Sequence, residues 1–339
     1  MKGHVTEAVR RMWQGETGAI QMALAAATVP MASVFGTLVG LRNWGFDRGL
    51  LRSKACPLPV ISIGNLAVGG TGKTPTAGWL VSELRARGWS PAIVMRGYGE
   101  DELLLHRRWN PDVPVIRAPR RLDGILQAEG AGADIVVLDD GFQHRSVRRD
   151  VDVVLLSPAH GARTRLLPRG PFREPLRALR RADIVLVTAK ADEERSGARQ
   201  LAAEVGVLHG MPQTAVLPFR HGDWLALDGR PGLPPAGAPL VVTSVAEPEA
   251  FVRGVLRRVG GVAGHLAFPD HHPFRASDAS EIHEAAAGGW VATTEKDAVK
   301  LELFQEHLPE VRVLPLVADP PDGLADLILA GLPLVEVRP

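Results

Sequence analysis

The sequence is poor in several features that define classes of protein, and each absence narrows the possibilities. Cys56 is the one cysteine among 339 residues, which excludes an internal disulfide and a cysteine metal cluster and fits a reducing compartment. An excess of either charge is also missing, because 39 Lys and Arg balance 38 Asp and Glu, and this excludes a globally basic nucleic-acid binder. Hydrophobic residues make up 45% of the chain, too many for an intrinsically disordered protein. We therefore expect a folded protein with one large or two packed domains and no nucleic-acid partner.

One uncharged stretch, residues 19–41, departs from the pattern of a soluble protein. As a helix it would be roughly 35 Å long, enough to cross a bilayer core of about 30 Å. Pro30 would kink or split that helix, and Trp13 and Trp44 lie just outside the stretch, where interfacial aromatic residues belong. A membrane span, a helix lying on the membrane surface and an Ala-rich core helix are all open. We expect residues 1–56 to form an N-terminal membrane-associating helical segment.

Beyond residue 56, short β-branched runs alternate with helical segments. The first predicted strand covers residues 60–64, and a Gly-rich turn and an amphipathic helix follow it. The same rhythm predicts strands at 91–95, 113–117, 134–140, 151–157, 183–189, 239–246, 290–297 and 311–317. Strands that alternate with helices indicate a doubly wound, mostly parallel α/β sheet. Because a Pro- and Gly-rich stretch precedes residue 239, we place a first domain at 57–215 and a second, smaller α/β lobe at 216–339.

The Gly-rich turn after the first strand carries the strongest chemical signal. Residues 64–74 read GNLAVGGTGKT. Such a loop between a strand and a helix wraps a triphosphate with backbone N–H groups, while Lys73 reaches the β and γ oxygens and Thr74 offers its hydroxyl to Mg²⁺. Ala67 stands where the strict P-loop pattern has its first glycine, so the loop is a tighter variant, and we expect a P-loop NTPase-type fold. The predicted nucleotide-binding residues are Asn65, Gly69, Gly70, Thr71, Gly72, Lys73 and Thr74.

Two carboxylates, Asp139 and Asp140, end a predicted apolar strand. A carboxylate at the tip of a buried strand beside a P-loop is where the Mg²⁺-holding Walker-B acid lies, and a second one can contact a water or a nucleophile. Gln143 and His144 follow at the same carboxyl edge, where open α/β sheets bind ligands. The pattern therefore predicts a metal site at the two aspartates and a ligand-binding edge beside it.

Residues 163–181 carry seven arginines, and Glu174 is the one acidic residue among them. Clustered guanidinium groups suit anionic partners. Three partners compete here: nucleotide phosphate, a phosphorylated substrate and an anionic membrane surface. A solvated basic face would give the same pattern, so the sequence leaves these alternatives open.

Two further segments, residues 96–102 and 268–274, hold groups suited to proton transfer. Acidic residues follow a predicted strand in the first segment, and the second contains the adjacent His271 and His272. A carboxylate could accept the proton of an acceptor hydroxyl, and a histidine could pair with it. Each segment alone is a weak signal, and a His-His dipeptide without spaced partners is rarely a metal site.

Six segments together resemble one enzyme family. In chain order they read GNLAVGGTGKTP, RGYG, LDDGFQHR, LLPRGPFREPLRALRRAD, FPDHHPF and TEKDAVKL. This set resembles the tetraacyldisaccharide 4′-kinases. The resemblance implies transfer of the γ-phosphate of ATP, with Mg²⁺, to the 4′-hydroxyl of a tetraacylated glucosamine disaccharide 1-phosphate, which forms lipid IVA at the cytoplasmic face of the inner membrane. It also implies a membrane-associating helix before the P-loop, where residues 19–41 lie.

The resemblance further implies roles for single residues. Lys73 and Thr74 match the family's phosphate and Mg²⁺ positions, and Arg173 and Glu174 match the R-E of an L-R-E-P motif at its active site. The predicted metal ligands are Thr74, Asp139, Asp140 and Glu174. The predicted contacts to substrate or phosphate are Arg173, Arg96, Gln143 and His144.

His271 matches the histidine of the family's catalytic Asp-His pair. The family has the Asp partner in a G-D-E-P motif, after an insertion that follows RGYG. That insertion is missing here, and alignment of the downstream residues puts Asp101 in the catalytic position, flanked by Glu100 and Leu103 instead of Gly and Pro. We expect Asp101, assisted by His271, to accept the sugar hydroxyl proton while Lys73 stabilises the transferred phosphoryl group.

Two other functions stay open at this point. A P-loop switch protein that hydrolyses nucleotide to control a protein partner would use the K-x-D of residues 190–192, although the Asn or Thr that precedes the Lys in guanine-binding motifs is absent. A non-catalytic membrane scaffold would not need Lys73, Thr74, Asp139 and Asp140 together. The kinase accounts for more of the motifs than either alternative, and no obligate protein partner is evident. Residues 294–297 match the family but have no physical role beyond that of a polar strand end.

Overall fold

The computed structural model describes residues 8–9, 11–13, 18–97, 99–160, 165–211 and 213–333. Two helices, α1 (Ala19–Ala27) and α2 (Val29–Asp47), meet at a bend of 42°. Pro30 lies in the first turn of α2, where a proline is tolerated because its missing N–H would have no helical partner. In the described part of the chain neither helix alone is long and apolar enough to span a membrane, whereas the bent pair is so by length and composition.

In the residues that the structure describes, the larger of two sheets has eight strands. Their bounds are β1 (Val60–Asn65), β2 (Pro91–Met95), β3 (Val115–Arg117), β4 (Ile135–Asp139), β5 (Val151–Leu156), β6 (Ile184–Ala189), β7 (Thr214–His221) and β13 (Leu316–Ala318). The order is β13-β7-β6-β5-β1-β4-β2-β3, with β13 antiparallel to β7 and the other pairs parallel. Strands β1, β2, β4, β5 and β6 are buried along their whole length. Burial on both faces explains why these strands read as continuous apolar runs.

Helices connect the strands of this sheet and cover its faces. They are α3 (Lys73–Ala86), α4 (Glu100–Trp109), α5 (Arg121–Gly130) and α6 (Arg195–His209). The inner face of α3 buries Leu80 and Leu84 completely, and each such side chain contributes about 1.5–3 kcal/mol. Gly78 of α3 lets Trp109 of α4 pack closely, since a Cβ at Gly78 would lie 2.8 Å from the indole ring. The position of α4 is therefore fixed by its packing on α3.

The smaller sheet has five strands and lies in the second half of the chain. Its strands are β8 (Leu225–Ala226), β9 (Leu240–Thr243), β10 (Gly264–Ala267), β11 (Val291–Thr293) and β12 (Val311–Val313), in the order β10-β9-β11-β12-β8. Helices α7 (Pro248–Val259), α8 (Ala276–Ala286) and α9 (Glu295–Leu301) belong to this half. Helix α10 (Leu324–Leu329) returns to the larger sheet, where Leu324 and Ile328 join its core.

The predicted fold class is confirmed, but several element ends differ from prediction. The strand predicted at 290–297 stops at Thr293, and α9 follows, because the Thr294 hydroxyl accepts the Asp297 N–H at 3.1 Å and caps the helix. The strand predicted at 311–317 divides at Pro315 into β12 and β13, which belong to different sheets. A proline has no N–H for a continuous ladder.

The division into domains stays a prediction. Strand β7 spans the boundary proposed between residues 215 and 216, and β13 and α10 pack with the larger sheet although they lie in the second half of the chain. Strands β7, β8 and β10 and helices α4, α6 and α8 were not predicted from the sequence. Among these elements, α4 bears most directly on the chemistry because it begins at the shortened loop after Gly99.

Candidate active site

A cavity of about 370 Å³ opens between the two sheets. One wall is formed by residues 68–75, with Arg96, Asp139 and Asp140, which end or follow β1, β2 and β4. The opposite wall is formed by residues 245–247, 270–271 and 294–296, which follow β9, β10 and β11. The carboxyl ends of parallel strands from both sheets therefore meet at one cavity, where open α/β sheets bind ligands.

The P-loop is held in shape by glycine and by buried hydrogen bonds. Gly72 has a φ of 87°, and a Cβ there would lie 2.6 Å from the ring of Phe219, so only glycine fits. The Val68 N–H donates to the Pro171 carbonyl at 2.8 Å. Helix α3 begins directly after Gly72, so its N-terminal N–H groups and positive dipole end lie at the cavity.

Six of the seven predicted nucleotide-binding residues line the cavity, and they are Gly69, Gly70, Thr71, Gly72, Lys73 and Thr74. Asn65 lies behind the loop. Its Nδ2 donates to Oγ1 of Thr71 at 2.9 Å, and both side chains are buried. The structure therefore gives Asn65 a bracing role in place of a contact with the cavity.

Lys73, Asp140 and Arg173 form a charged group on the same wall. The Lys73 Nζ is 3.7 Å from Asp140 Oδ1, and Nη1 of Arg173 donates to both carboxylate oxygens at 2.8 and 3.0 Å. Burial opposes ionisation of Asp140, but the charges of Lys73 and Arg173 lower its pKa. Asp140 has a φ of 58°, which is costly for a residue other than glycine and is typical of functional sites.

The first carboxylate of the pair, Asp139, has a partner that the sequence did not indicate. Its Oδ2 lies 3.0 Å from Nε2 of His106 on α4, and both side chains are buried. The edge of Trp109 packs against the His106 ring, with ring centroids 5.8 Å apart. No sequence signal linked His106 to Asp139, because they meet only after α4 packs across the end of β4.

Asp101 and His271 come together although 170 positions separate them. Nδ1 of His271 lies 3.0 Å from Oδ2 and 3.1 Å from Oδ1 of Asp101. Gly99 leaves room for this contact, since a Cβ there would lie 2.2 Å from Asp101 Oδ1 and 2.7 Å from His271 Nδ1. The shortened loop therefore still delivers the carboxylate to the histidine.

The contact between the two groups shifts their pKa values in opposite directions. Burial would raise the pKa of Asp101, but the hydrogen bond to His271 and the charges of Lys296 and Lys300 lower it to about 2. The same hydrogen bond raises the pKa of His271, against burial and the charge of Lys296. Asp101 is thus an anion that holds one nitrogen of the imidazole.

The exposure of the two side chains favours an order of proton transfer that differs from the expected one. Asp101 is 1% exposed and lies behind His271, whose side chain is 38% exposed and lines the cavity. The Asp101 carboxylate is already bonded to the imidazole and is not part of the cavity lining. The group that faces the cavity is His271, and Asp101 orients it.

The remaining predicted residues divide between the cavity and its surroundings. Arg96 and Arg173 line the cavity, whereas Gln143 and His144 are not part of its lining. Nε2 of Gln143 donates to the Asn65 carbonyl at 2.8 Å. Burial first, and then the charge of nearby arginines, lowers the pKa of His144 to about 4. Of the arginine-rich stretch, residues 163 and 164 lie outside the described part of the chain.

Glu174 is not part of the cavity lining, so its metal role stays a prediction. It is 1% exposed and accepts from Arg181 Nη2 at 3.0 Å and from Asn43 Nδ2 at 2.6 Å. Asn43 lies on α2, and its carbonyl accepts from Arg145 Nη1 at 3.1 Å, while Arg145 Nη2 donates to Asp47 at 2.7 Å. Glu174 therefore joins α2 of the apolar helix pair to the catalytic body, which is the part of the structure that contains the larger sheet and the cavity.

The donor set fits Mg²⁺ only when nucleotide is present. Thr74, Asp139 and Asp140 offer hard oxygen atoms at one edge of the cavity, which suits Mg²⁺. Within the described ranges, no group of three or more His, Cys, Asp or Glu side chains is placed to hold a metal ion. Phosphate oxygens and water would complete the coordination, as Mg²⁺ in phosphoryl-transfer sites prefers.

Comparison with known proteins gives a consistent result. The model of the tetraacyldisaccharide-1-P 4′-kinase family matches residues 24–103 and 99–332, and the two segments meet at the shortened loop. The tetraacyldisaccharide 4′-kinase of Anaeromyxobacter dehalogenans strain 2CP-C is 39% identical over 86% of this chain and 85% of its own length. The enzyme of that name from Halorhodospira halophila is 40% identical over 81% and 84%. The crystal structure of LpxK from Aquifex aeolicus in complex with ATP is similar with a TM-score of 0.71 and 27% identity, covering 91% of this chain and 100% of the other.

Proposed function

The chain belongs to the tetraacyldisaccharide-1-P 4′-kinase family, and from this membership we propose how its residues carry out the reaction. It is a lipid A 4′-kinase that uses ATP and Mg²⁺. The γ-phosphate of ATP passes to the 4′-hydroxyl of a tetraacyldisaccharide 1-phosphate, which yields lipid IVA. The roles of single residues, and the contact with the membrane, are the parts that we infer from the geometry.

His271 is the general base in this proposal. Its Nε2 faces the cavity, while Nδ1 is held by Asp101 at 3.0 Å. The 4′-hydroxyl gives its proton to Nε2, the oxygen forms a bond to the γ-phosphorus, and the bond from that phosphorus to the β-γ bridging oxygen breaks to release ADP. The observation that carries this assignment is that His271, held by Asp101, and Lys73 of the P-loop border one cavity.

The opposite wall stabilises the phosphoryl group. Lys73 and the N-terminus of α3 bind the β and γ oxygens, and Arg173 lies 2.8 Å from Asp140 beside them. Thr74, Asp139 and Asp140 would hold Mg²⁺, which when bound neutralises charge on the phosphate oxygens. His106 fixes Asp139 by its contact with Oδ2, so the other carboxylate oxygen is left for the metal side.

Replacement of the base tests the assignment. His271→Ala should lower turnover by about 10²- to 10⁴-fold, the range for loss of a general base. ATP affinity should stay unchanged, because His271 is not on the cavity wall that contains Lys73 and the start of α3. The measurement is transfer from γ-labelled ATP to a detergent-dispersed tetraacyldisaccharide 1-phosphate, with ATP binding measured separately. His283→Ala on α8, an exposed histidine, is the matched control. Turnover within tenfold of wild type in His271→Ala would remove His271 from the mechanism.

We also propose that α1 and α2 attach the enzyme to the inner membrane at its cytoplasmic face. Their apolar side chains are exposed, among them Ile20, Met22, Met31, Val34, Leu38 and Leu41. The 42° bend suits a helix pair that lies in the interface. Polar residues at the end of α2 bind the catalytic body instead, as Asn43 does with Glu174.

Sedimentation with phospholipid vesicles tests the attachment. Val34 and Leu38 are one turn apart on α2 and each is 61% exposed. The double variant Val34→Asp, Leu38→Asp should lose most vesicle binding, since buried apolar area supplies the affinity. Val207→Asp, at an exposed apolar residue of α6, is the control. Full vesicle binding by the double variant would contradict the proposal.

A further inference from the structure

Helix α9 carries two lysines toward the Asp101–His271 pair. Lys296 and Lys300 are four residues apart, so they lie on one face of the helix, and that face meets α4 and the loop of His271. The Nζ of Lys296 lies 3.2 Å from Nε2 of His271 and 3.8 Å from Oδ2 of Asp101. These contacts give physical content to residues 294–297, for which the sequence suggested none.

Lys300 lies beside the Asp101–His271 pair and is held by several hydrogen bonds and ion pairs. Its Nζ donates to Oγ of Ser244 at 2.6 Å and to the His272 carbonyl at 3.2 Å, and it is 3.1 Å from Asp297 and 3.5 Å from Asp101. The side chain is 11% exposed. With four oxygen neighbours the ammonium is fully engaged, so Lys300 fixes the position of Asp101 and takes no part in exchange of partners.

Lys296 differs from Lys300 because it lines the cavity and is 22% exposed. An ammonium has donors and no acceptor, so the Nε2 atom that faces it presents a lone pair. The imidazole then carries its proton on Nδ1, which donates to Asp101. This is the neutral tautomer that a general base needs before it receives a proton.

We propose that Lys296 is a positioning residue that keeps His271 in this base form, with Nε2 as acceptor, until the acceptor hydroxyl takes the place of the ammonium. The inference rests on the proposed role of His271 as the base. Asp270 is an alternative ion-pair partner for the displaced ammonium, because its Oδ1 lies 3.5 Å from the Lys296 Nζ. Once Nε2 has received the substrate proton, repulsion between the His271 imidazolium and the Lys296 ammonium keeps Lys296 paired with Asp270.

All charged groups around His271 bear on the test. Asp101 and Glu102 face it from α4, Asp270 from its own loop, and Lys296 and Lys300 from α9. The hydrogen bond to Asp101 raises the pKa of His271, and the charge of Lys296 lowers it. Removal of the Lys296 charge therefore raises the pKa of His271, and the base stays protonated to a higher pH.

The experiment measures kcat/KM against pH for the full chain in detergent, with ATP and a tetraacyldisaccharide 1-phosphate. Lys296→Met should move the acidic limb of the profile upward by about one pH unit, as expected for loss of a charge within 4 Å. Lys296→Arg keeps the charge and should return the limb to its wild-type position. Arg199→Met, which removes an exposed charge on α6, should leave the profile unchanged.

A second readout separates a shift from a general loss of activity. Titration of the His271 imidazole by NMR of ¹³C-labelled histidine, assigned with His271→Ala, should show the same upward shift in Lys296→Met. A Lys296→Met enzyme that loses activity equally at every pH would overturn the proposal, because the lysine would then act on the nucleotide or the lipid. So would a profile that superimposes on wild type. If instead His271→Ala retains turnover, the base assignment itself fails.

Discussion

The two walls of the cavity are built in different ways. The nucleotide wall comes mainly from one continuous stretch, residues 68–75, whose shape is set by glycine backbone and the start of α3. The acceptor wall is assembled from α4, the loop after β10 and α9, whose key side chains Asp101, His271 and Lys296 are far apart in sequence. A local backbone motif builds the first wall, whereas long-range side-chain contacts build the second.

The acceptor wall depends on several charged groups that are buried together. Asp101 is 1% exposed, Asp297 is fully buried and Lys300 is 11% exposed. Buried charges are tolerated only when their partners are all present, and removal of one partner leaves the other uncompensated. We therefore expect substitutions on this wall to change the protonation of His271 and the geometry together. Substitutions on the nucleotide wall should lower phosphate binding and turnover without changing the protonation of His271.

Of Lys73→Met and Asp101→Asn, which compare the two walls, the substitution on the nucleotide wall should have the larger effect on turnover. Lys73→Met removes the cation beside the transferred phosphate and should lower turnover by about 10³-fold or more, since such clamps act on charge that develops in the transition state. The measurement is transfer from γ-labelled ATP over a range of pH. The acidic limb of the profile should keep its position, because Lys73 does not contact His271. Lys54→Met, at an exposed lysine, is the control.

A pH profile that moves in Lys73→Met would contradict the separation of the two walls. It would mean that the phosphate side influences the protonation of His271 through the cavity. The two walls would then form one continuous electrostatic site.

A smaller loss of turnover, accompanied by a shift of the pH profile, should come from the acceptor wall. Asp101→Asn removes the anion that raises the pKa of His271, so the pKa falls and the acidic limb of kcat/KM should move to lower pH. Turnover at the plateau should drop by about 10- to 100-fold, because the amide no longer fixes the imidazole. Steady-state kinetics across pH, with ATP affinity as the control, measure both quantities.

The direction in which the acidic limb moves distinguishes an effect of charge from a general loss of structure. Asp101→Asn and Lys296→Met should move the limb in opposite directions, since the two charges have opposite signs and flank the same imidazole. A shift of both variants in one direction would show that misfolding of the wall, and not its charge, controls the profile.

The difference between the walls explains what the sequence could predict. The P-loop, Asp139 and Asp140 were found because parallel strands bring their carboxyl ends to one edge, so a local motif fixes a position in space. Asp101 was found through a family resemblance in spite of the missing insertion. In the structure α4 starts at Glu100 and carries the Asp101 carboxylate to His271, and the catalytic role of Asp101 stays a prediction.

Other features could not be read from the sequence because they depend on packing between distant elements. His106 meets Asp139 only through the position of α4, which Trp109 and Gly78 set. Lys296 lies in a segment that was predicted as a strand end. The structure has a capped helix there, and this helix brings Lys296 to the cavity. Glu174 was assigned to metal by its motif, yet Asn43 and Arg181 hold it elsewhere.

The contact between α2 and the catalytic body has a mechanical consequence. Asn43 and Asp47 hold Glu174 and Arg145 directly, so the connection does not run through the loops between α2 and β1. Helix α2 is therefore held in a fixed position on the catalytic body and is not merely linked to it by a flexible segment. In the membrane attachment that we propose, these contacts would keep the membrane-facing side of α2 at one distance from the cavity, and a lipid headgroup would have to reach the cavity across that distance.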